Sequence, residues 1–179
     1  MTQYARPDGD TSVGNWASSA MSGGLWEAID EVSGGTDSIY VSHEDDTGEE
    51  ATFTLGNVTD PEDHTNHKVV VNAYVDDEWS GTVTLNINLK QGSTSLKNQT
   101  FSVAYSSDES GTDYTMVLAS TDIDTELTNY NDLNLVITAT DTADGGMITT
   151  YVNRAWFECP DAPPPSALAN PAFLLFVDC

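Results

Sequence analysis

From Ile39 onward, apolar residues recur at every second position of the chain. Ala51, Phe53 and Leu55 alternate with Thr52 and Thr54, and Val69, Val71, Ala73 and Val75 alternate with Lys68, Asn72 and Tyr74. Val83, Leu85, Ile87 and Leu89 alternate with Thr84, Asn86, Asn88 and Lys90 in the same way. Phe101, Val103 and Tyr105 follow, then Tyr114, Met116 and Leu118, then Leu133, Leu135, Ile137 and Ala139, and a last run from Met147 to Phe157. A period of two sends successive side chains to opposite faces, so these segments predict strands with one buried and one wet side. Gly48, Asp60-Pro61, Asp76-Asp77, Gln91-Gly92, Ser110-Gly111 and Asp144-Gly145-Gly146 punctuate them with turn chemistry at nearly regular spacing.

The period differs before Ile39. Leu25, Ile29 and Val32 recur at i, i+4 and i+7 between Ser22-Gly23-Gly24 and Gly34-Gly35, which predicts one short helix. Together these patterns predict an all-β fold, an antiparallel jelly-roll-like β-sandwich over residues 1–160 with one short N-terminal helix. Pro160-Asp-Ala-Pro-Pro-Pro-Ser ends the last strand and stiffens the chain into an extended linker. Residues 161–179 then form a Pro-rich linker and C-terminal arm. Its apolar run, Phe173, Leu174, Leu175, Phe176 and Val177, would cost solubility on an isolated monomer, so the expected role is docking between subunits of a homo-oligomer.

Composition narrows the function. Of 179 residues, 39% are hydrophobic, enough to bury a core, while 29 Asp and Glu against 5 Lys and Arg leave a formal net charge of -24. Five scattered cations cannot neutralise a nucleic-acid backbone or hold an anionic membrane surface. Charged residues total only 19%, below the roughly 25% of average soluble proteins, so the imbalance reflects missing Lys and Arg as well as added acid. Glu44, Asp45, Asp46, Glu49 and Glu50; Asp60, Glu62 and Asp63; and Asp76, Asp77 and Glu78 form clusters. Such clusters sit comfortably at molar salt, where the Debye length is about 3 Å, which points to a halophilic host. The opening residues show no secretory apolar core, and no stretch is long enough to span a bilayer, so no membrane insertion is expected.

Arg6-Pro7-Asp8-Gly9-Asp10-Thr11-Ser12, Gly14-Asn15-Trp16, Leu25-Trp26-Glu27-Ala28-Ile29-Asp30-Glu31 and Asp37-Ser38-Ile39-Tyr40 together resemble the opening of a β-sandwich module found in virion proteins of tailed phages and haloarchaeal viruses. The closing Asn153-Arg-Ala-Trp-Phe-Glu-Cys-Pro160 is similar to that module's last strand. The resemblance implies a β-sandwich with a virion-surface or adhesion role, and it assigns no catalytic residues.

Candidate chemistry is sparse. His64 and His67 with Asp63 have the residue types for a metal site, but Asp60-Pro61 places them in a loop, where a solvated polar role is expected. Asp122-Ile123-Asp124-Thr125-Glu126 has calcium-loop character but Leu127 where that loop needs glycine. A structural cation held among Asp8, Asp10, Asp30 and Asp37 stays open beside capping roles for the same residues; no other cofactor is expected. Cys159 and Cys179 form no disulfide scaffold. Trp26 and Trp156 are expected in the core, whereas Trp79, in an acidic turn, is the aromatic expected to be exposed for a partner or a sugar. Asn57-Val58-Thr59 and Asn98-Gln99-Thr100 have the form of glycosylation acceptors. The sequence thus reads as a non-enzymatic structural virion surface protein, a capsid decoration, turret or spike contacting capsid or other virion proteins. The alternative is a carbohydrate-binding module of a halophilic adhesin or tail fibre, contacting host-surface glycans.

Overall fold

The computed structural model describes residues 2–18, 23–31, 38–43, 48–76, 83–106, 109–141 and 148–164. The strands are β1 (Thr2–Ala5), β2 (Pro7–Ser12), β3 (Ala17–Ser18), β4 (Ile39–His43), β5 (Glu49–Leu55), β6 (His67–Val75), β7 (Val83–Gln91), β8 (Thr94–Val103), β9 (Thr112–Leu118), β10 (Leu133–Asp141) and β11 (Ile148–Pro160). A 3-10 turn covers Leu25–Ala28, and α1 covers Ser120–Glu126.

One sheet has the order β3-β4-β11-β6-β9, with β1 pairing with the far half of β11, and the other has the order β2-β5-β10-β7-β8. Every pairing within the sheets is antiparallel. From β4 to β11 the chain alternates between sheets except at the β7–β8 hairpin, which is the double Greek key of a jelly roll. The expected all-β jelly-roll sandwich is therefore the fold.

The period-two residues meet between the sheets. Phe53 of β5, Leu85, Ile87 and Leu89 of β7 and Leu133, Leu135 and Ile137 of β10 face Ile39 of β4, Val69 and Val71 of β6, Met116 of β9 and Phe157 of β11, nearly all without exposed surface. At roughly 1.5–3 kcal/mol per fully buried large side chain, this layer is the main stabilising element of the domain.

Several expectations need correction. Strands begin at Thr2, well before Ile39, because Tyr4 and Ala5 pair with Glu158 and Phe157 and because β2 pairs with β5. The Leu25–Ile29 segment is a single 3-10 turn that ends at Ile29, whose carbonyl accepts the Ala155 N–H at 2.9 Å; Val32 lies outside the described residues. The α-helix of the described chain is α1, where Ile123 and Leu127 bury one face at i, i+4 and Asp122 accepts the Ala119 N–H at 2.8 Å. That explains why Asp122–Glu126 is no calcium loop. Pro160 belongs to β11, pairs with Thr2 and accepts a hydrogen bond from Gln3 at 2.9 Å, so the last strand runs through it.

Candidate functional site

β11 carries two different faces. Ala155, Phe157 and Cys159 point into the sandwich, so period two sends Trp156 and Glu158 outward. A bulge between Val152 and Arg154 sets this phase, placing both Asn153 and Arg154 between inward Val152 and inward Ala155. Antiparallel pairing of Tyr4 with Glu158 brings β1 alongside, and Arg6, two residues after Tyr4, falls on the same side. Tyr4, Arg6, Glu31, Trp156 and Glu158 line a groove of about 240 Å³.

The groove combines aromatic walls with charged ends. Tyr4 is 52% exposed, while Trp156 is half-buried and lies opposite Val70 of β6. The Arg154 guanidinium sits over one face of the Trp156 ring, 5.6 Å from its centroid, and pairs with Asp113 at 3.1 Å, which steadies the indole. Glu158 is steadied by Lys68 at 3.0 Å. Arg6 and Glu31 have no ion-pair partner among the described residues. The indole Nε1 of Trp156 is buried without a hydrogen-bond partner among the described residues, as is Nε of Arg154. A buried donor left unpaired costs about 1–3 kcal/mol, a cost that the rest of the fold offsets. Further along the same face, Tyr151 stacks on Tyr74 at 4.8 Å and meets Tyr40 at 5.7 Å.

Trp156 was expected in the core, and its position is a correction. The signal was present in the sequence: Glu158 shares its face by period two, and Phe157 and Cys159 claim the other. Trp26 packs partly against the core, and Trp16 is buried with its indole N–H donated to the Glu49 carbonyl at 3.0 Å. Trp79, Phe173, Leu174, Leu175, Phe176 and Val177 lie outside the described residues.

The acidic candidates serve local structure. Asp10 accepts the N–H groups of Leu25 and Trp26 at 2.7 and 2.9 Å, tying β2 to the 3-10 turn, and Asp8 accepts the Thr54 hydroxyl at 2.7 Å. The opening motif is therefore a hydrogen-bonded corner. Asp30 is half-buried near the turn, and Asp37 lies outside the described residues. Among the described residues no group of three His, Cys, Asp or Glu side chains converges to hold a metal.

The histidines separate. His64 contacts Asp124 and is half-buried. His67, expected in solvent, is fully buried: Nδ1 meets the Thr65 carbonyl at 2.9 Å and Nε2 meets the Tyr130 hydroxyl at 2.8 Å. Its position as the first residue of β6, inward-facing like Val69, explains the difference. Asp63 is held below the usual carboxylate range by hydrogen bonds from the Thr65 hydroxyl and N–H. Cys159 is a buried free thiol pushed up to about 12 by burial, which removes it from nucleophilic chemistry; Cys179 lies outside the described residues. Asn57 is exposed after β5, and Asn98 is exposed on β8.

No helix among the described residues is long and apolar enough to cross a membrane. No family model matches the chain. No curated protein matches it either. Among solved structures it is similar to TmCBM61, a carbohydrate-binding module solved in complex with beta-1,4-galactotriose, at 8% identity and a TM-score of 0.38 over 84% of this chain and 91% of that one.

Proposed function

We propose that this β-sandwich is a non-catalytic glycan-binding module, working on the surface of a virion or tail-fibre adhesin of a halophilic host. The groove between Tyr4 and Trp156 carries this reading, through its aromatic lining flanked by Arg6, Glu31 and Glu158. A pyranose has apolar C–H faces that stack on aromatic rings and hydroxyls that both donate and accept. Tyr4 and Trp156 offer the faces, Arg6 offers donors, and Glu31 and Glu158 offer acceptors. The distant likeness to the galactotriose-bound module adds no weight to that chemistry.

The setting is supported separately, by the virion-module resemblance of the opening motif and by the net charge of -24. In that setting residues 161–179 act as a linker and assembly arm, joining the module to further copies or to other virion proteins. The test of the binding reading is a glycan array at high salt. The wild-type protein should give a selective signal that Trp156→Ala removes and the remote, exposed Val13→Ala keeps. No selective signal would overturn the reading, and so would loss with Trp79→Ala but not with Trp156→Ala, which would move the site to the segment around Trp79.

A further inference from the structure

A second cleft, of about 360 Å³, opens at one end of the sandwich where β1, the segment after β5 and the segment after α1 meet. Its lining is unlike that of the groove: amides and hydroxyls from Asn57, Thr59, Thr128, Asn129 and Asn131 surround a floor of buried Val58 and Tyr130, with Asp60 the one carboxylate.

The walls are fixed by side chains that reach for backbone. Gln3 clamps Thr59, its amide donating to the Thr59 carbonyl at 2.8 Å and its oxygen accepting the Thr59 N–H at 2.9 Å, while the same amide reaches Pro160 of β11. On the opposite wall the Gln91 oxygen accepts the N–H groups of Thr128 and Asn129 at 2.7 and 2.9 Å, and Asn129 Oδ1 accepts the Asn131 N–H at 3.0 Å. The Tyr130 hydroxyl is anchored on His67 beneath. These bonds hold the backbone of the cleft before any ligand arrives, which lowers the ordering cost of binding.

The side-chain amides of Asn57 and Asn131 are left over. Both residues are exposed, and neither amide meets a hydrogen-bond partner among the described residues. Each presents two donors and an acceptor at the mouth of a cleft near the lower size limit of small-molecule sites. We infer that this cleft is a second ligand site, taking one neutral polyhydroxylated unit, a monosaccharide residue or polyol, by hydrogen bonding to Asn57 and Asn131. Without an exposed aromatic platform, recognition here runs through hydroxyl groups. With Asp60 in the lining and a strongly acidic chain around it, neutral ligands are favoured over acidic sugars.

The test is an NMR titration of the isotope-labelled full chain with galactose, glucose, N-acetylglucosamine, sorbitol and glucuronate, read at the side-chain amides of Asn57 and Asn131. At least one neutral probe should give saturable shifts. Asn57→Ala and Asn131→Ala, both surface changes, should each weaken that probe about fivefold, the worth of one hydrogen bond. Trp156→Ala should leave this titration unchanged, so failure of the groove reading is distinguishable from failure of this one. Absence of saturable shifts, shifts that persist at full affinity in both asparagine variants, dependence on Trp156, or tighter binding of glucuronate than of every neutral probe would overturn it.

Discussion

His67 has both ring nitrogens committed and forms a triangle of rings with Tyr130 and Phe157, whose centroids each lie 5.8 Å from its own and 6.4 Å from each other. Burial lowers its pKa from the ordinary value of 6.5, and nearby His64 acts in the same direction, against the Thr65 carbonyl, Asp63 and Asp60, which raise it. Because the folded state holds the neutral ring, the unfolded chain binds the extra proton. The resulting stability is complete above about pH 6.5 and is lost as pH falls through that value toward the depressed folded pKa. Urea midpoints should therefore rise between about pH 5 and pH 7 and level off above. His67→Gln, a neutral partner for Tyr130, should flatten that rise; an unchanged slope would show that other groups cause it. Asp63 and Asp122, both held below 3.8, add their losses only in stronger acid. Trp156 makes the contrasting case. Its ring lines the groove on the outer face of the sheet, so Trp156→Ala should weaken ligand binding tenfold or more while shifting stability far less than a core truncation of about 2–5 kcal/mol.

At the scale of elements, β5, β7, β9 and β10 were legible because each has one wet face and one apolar face, so alternation alone names the core side. β6 was legible as a strand but not in its surroundings: Val70 and Tyr74 on its outer face are buried as well. Segment 104–106 bonds along the end of β6, with the Val75 N–H donating to the Ala104 carbonyl at 3.2 Å, and Asn153 reaches across to the Glu109 carbonyl at 3.1 Å. No local pattern announces such a long-range cover. β1 and β2 were missed for a similar reason, since their polar residues find partners forty or more positions away. The groove was missed because its walls come from both ends of the chain. Gly111, at φ +65°, is a further element-scale test, since a Cβ there would lie 2.3 Å from Asn72 Oδ1. Gly111→Ala should cost about 1–3 kcal/mol from backbone strain and crowding, measured as a lower urea midpoint. A midpoint equal to the wild-type value would contradict this account of the β9 entry.

For the whole molecule, charge and assembly are separate questions. Three of the five Lys and Arg residues, Lys68, Lys97 and Arg154, pair with carboxylates, so most acidic residues have no basic neighbour to offset them. Screening at molar KCl should raise the melting temperature well above its value at low salt, while flat or falling stability across that range would remove the halophilic reading. Because Pro160 is hydrogen-bonded within the sandwich, the assembly arm is best removed after it. Deleting residues 165–179 should leave a folded, monodisperse domain that no longer assembles; unfolding, or assembly as before, would contradict the arm. The central claim is that the Tyr4–Trp156 groove receives a glycan, and the most direct measurement follows the indole N–H of Trp156 by NMR as oligosaccharides selected on the array are added. A sugar face stacked against the ring should give a saturable shift of the Trp156 signal alone among the tryptophans. An indole signal that stays fixed while the glycan is bound would place binding elsewhere and contradict the account.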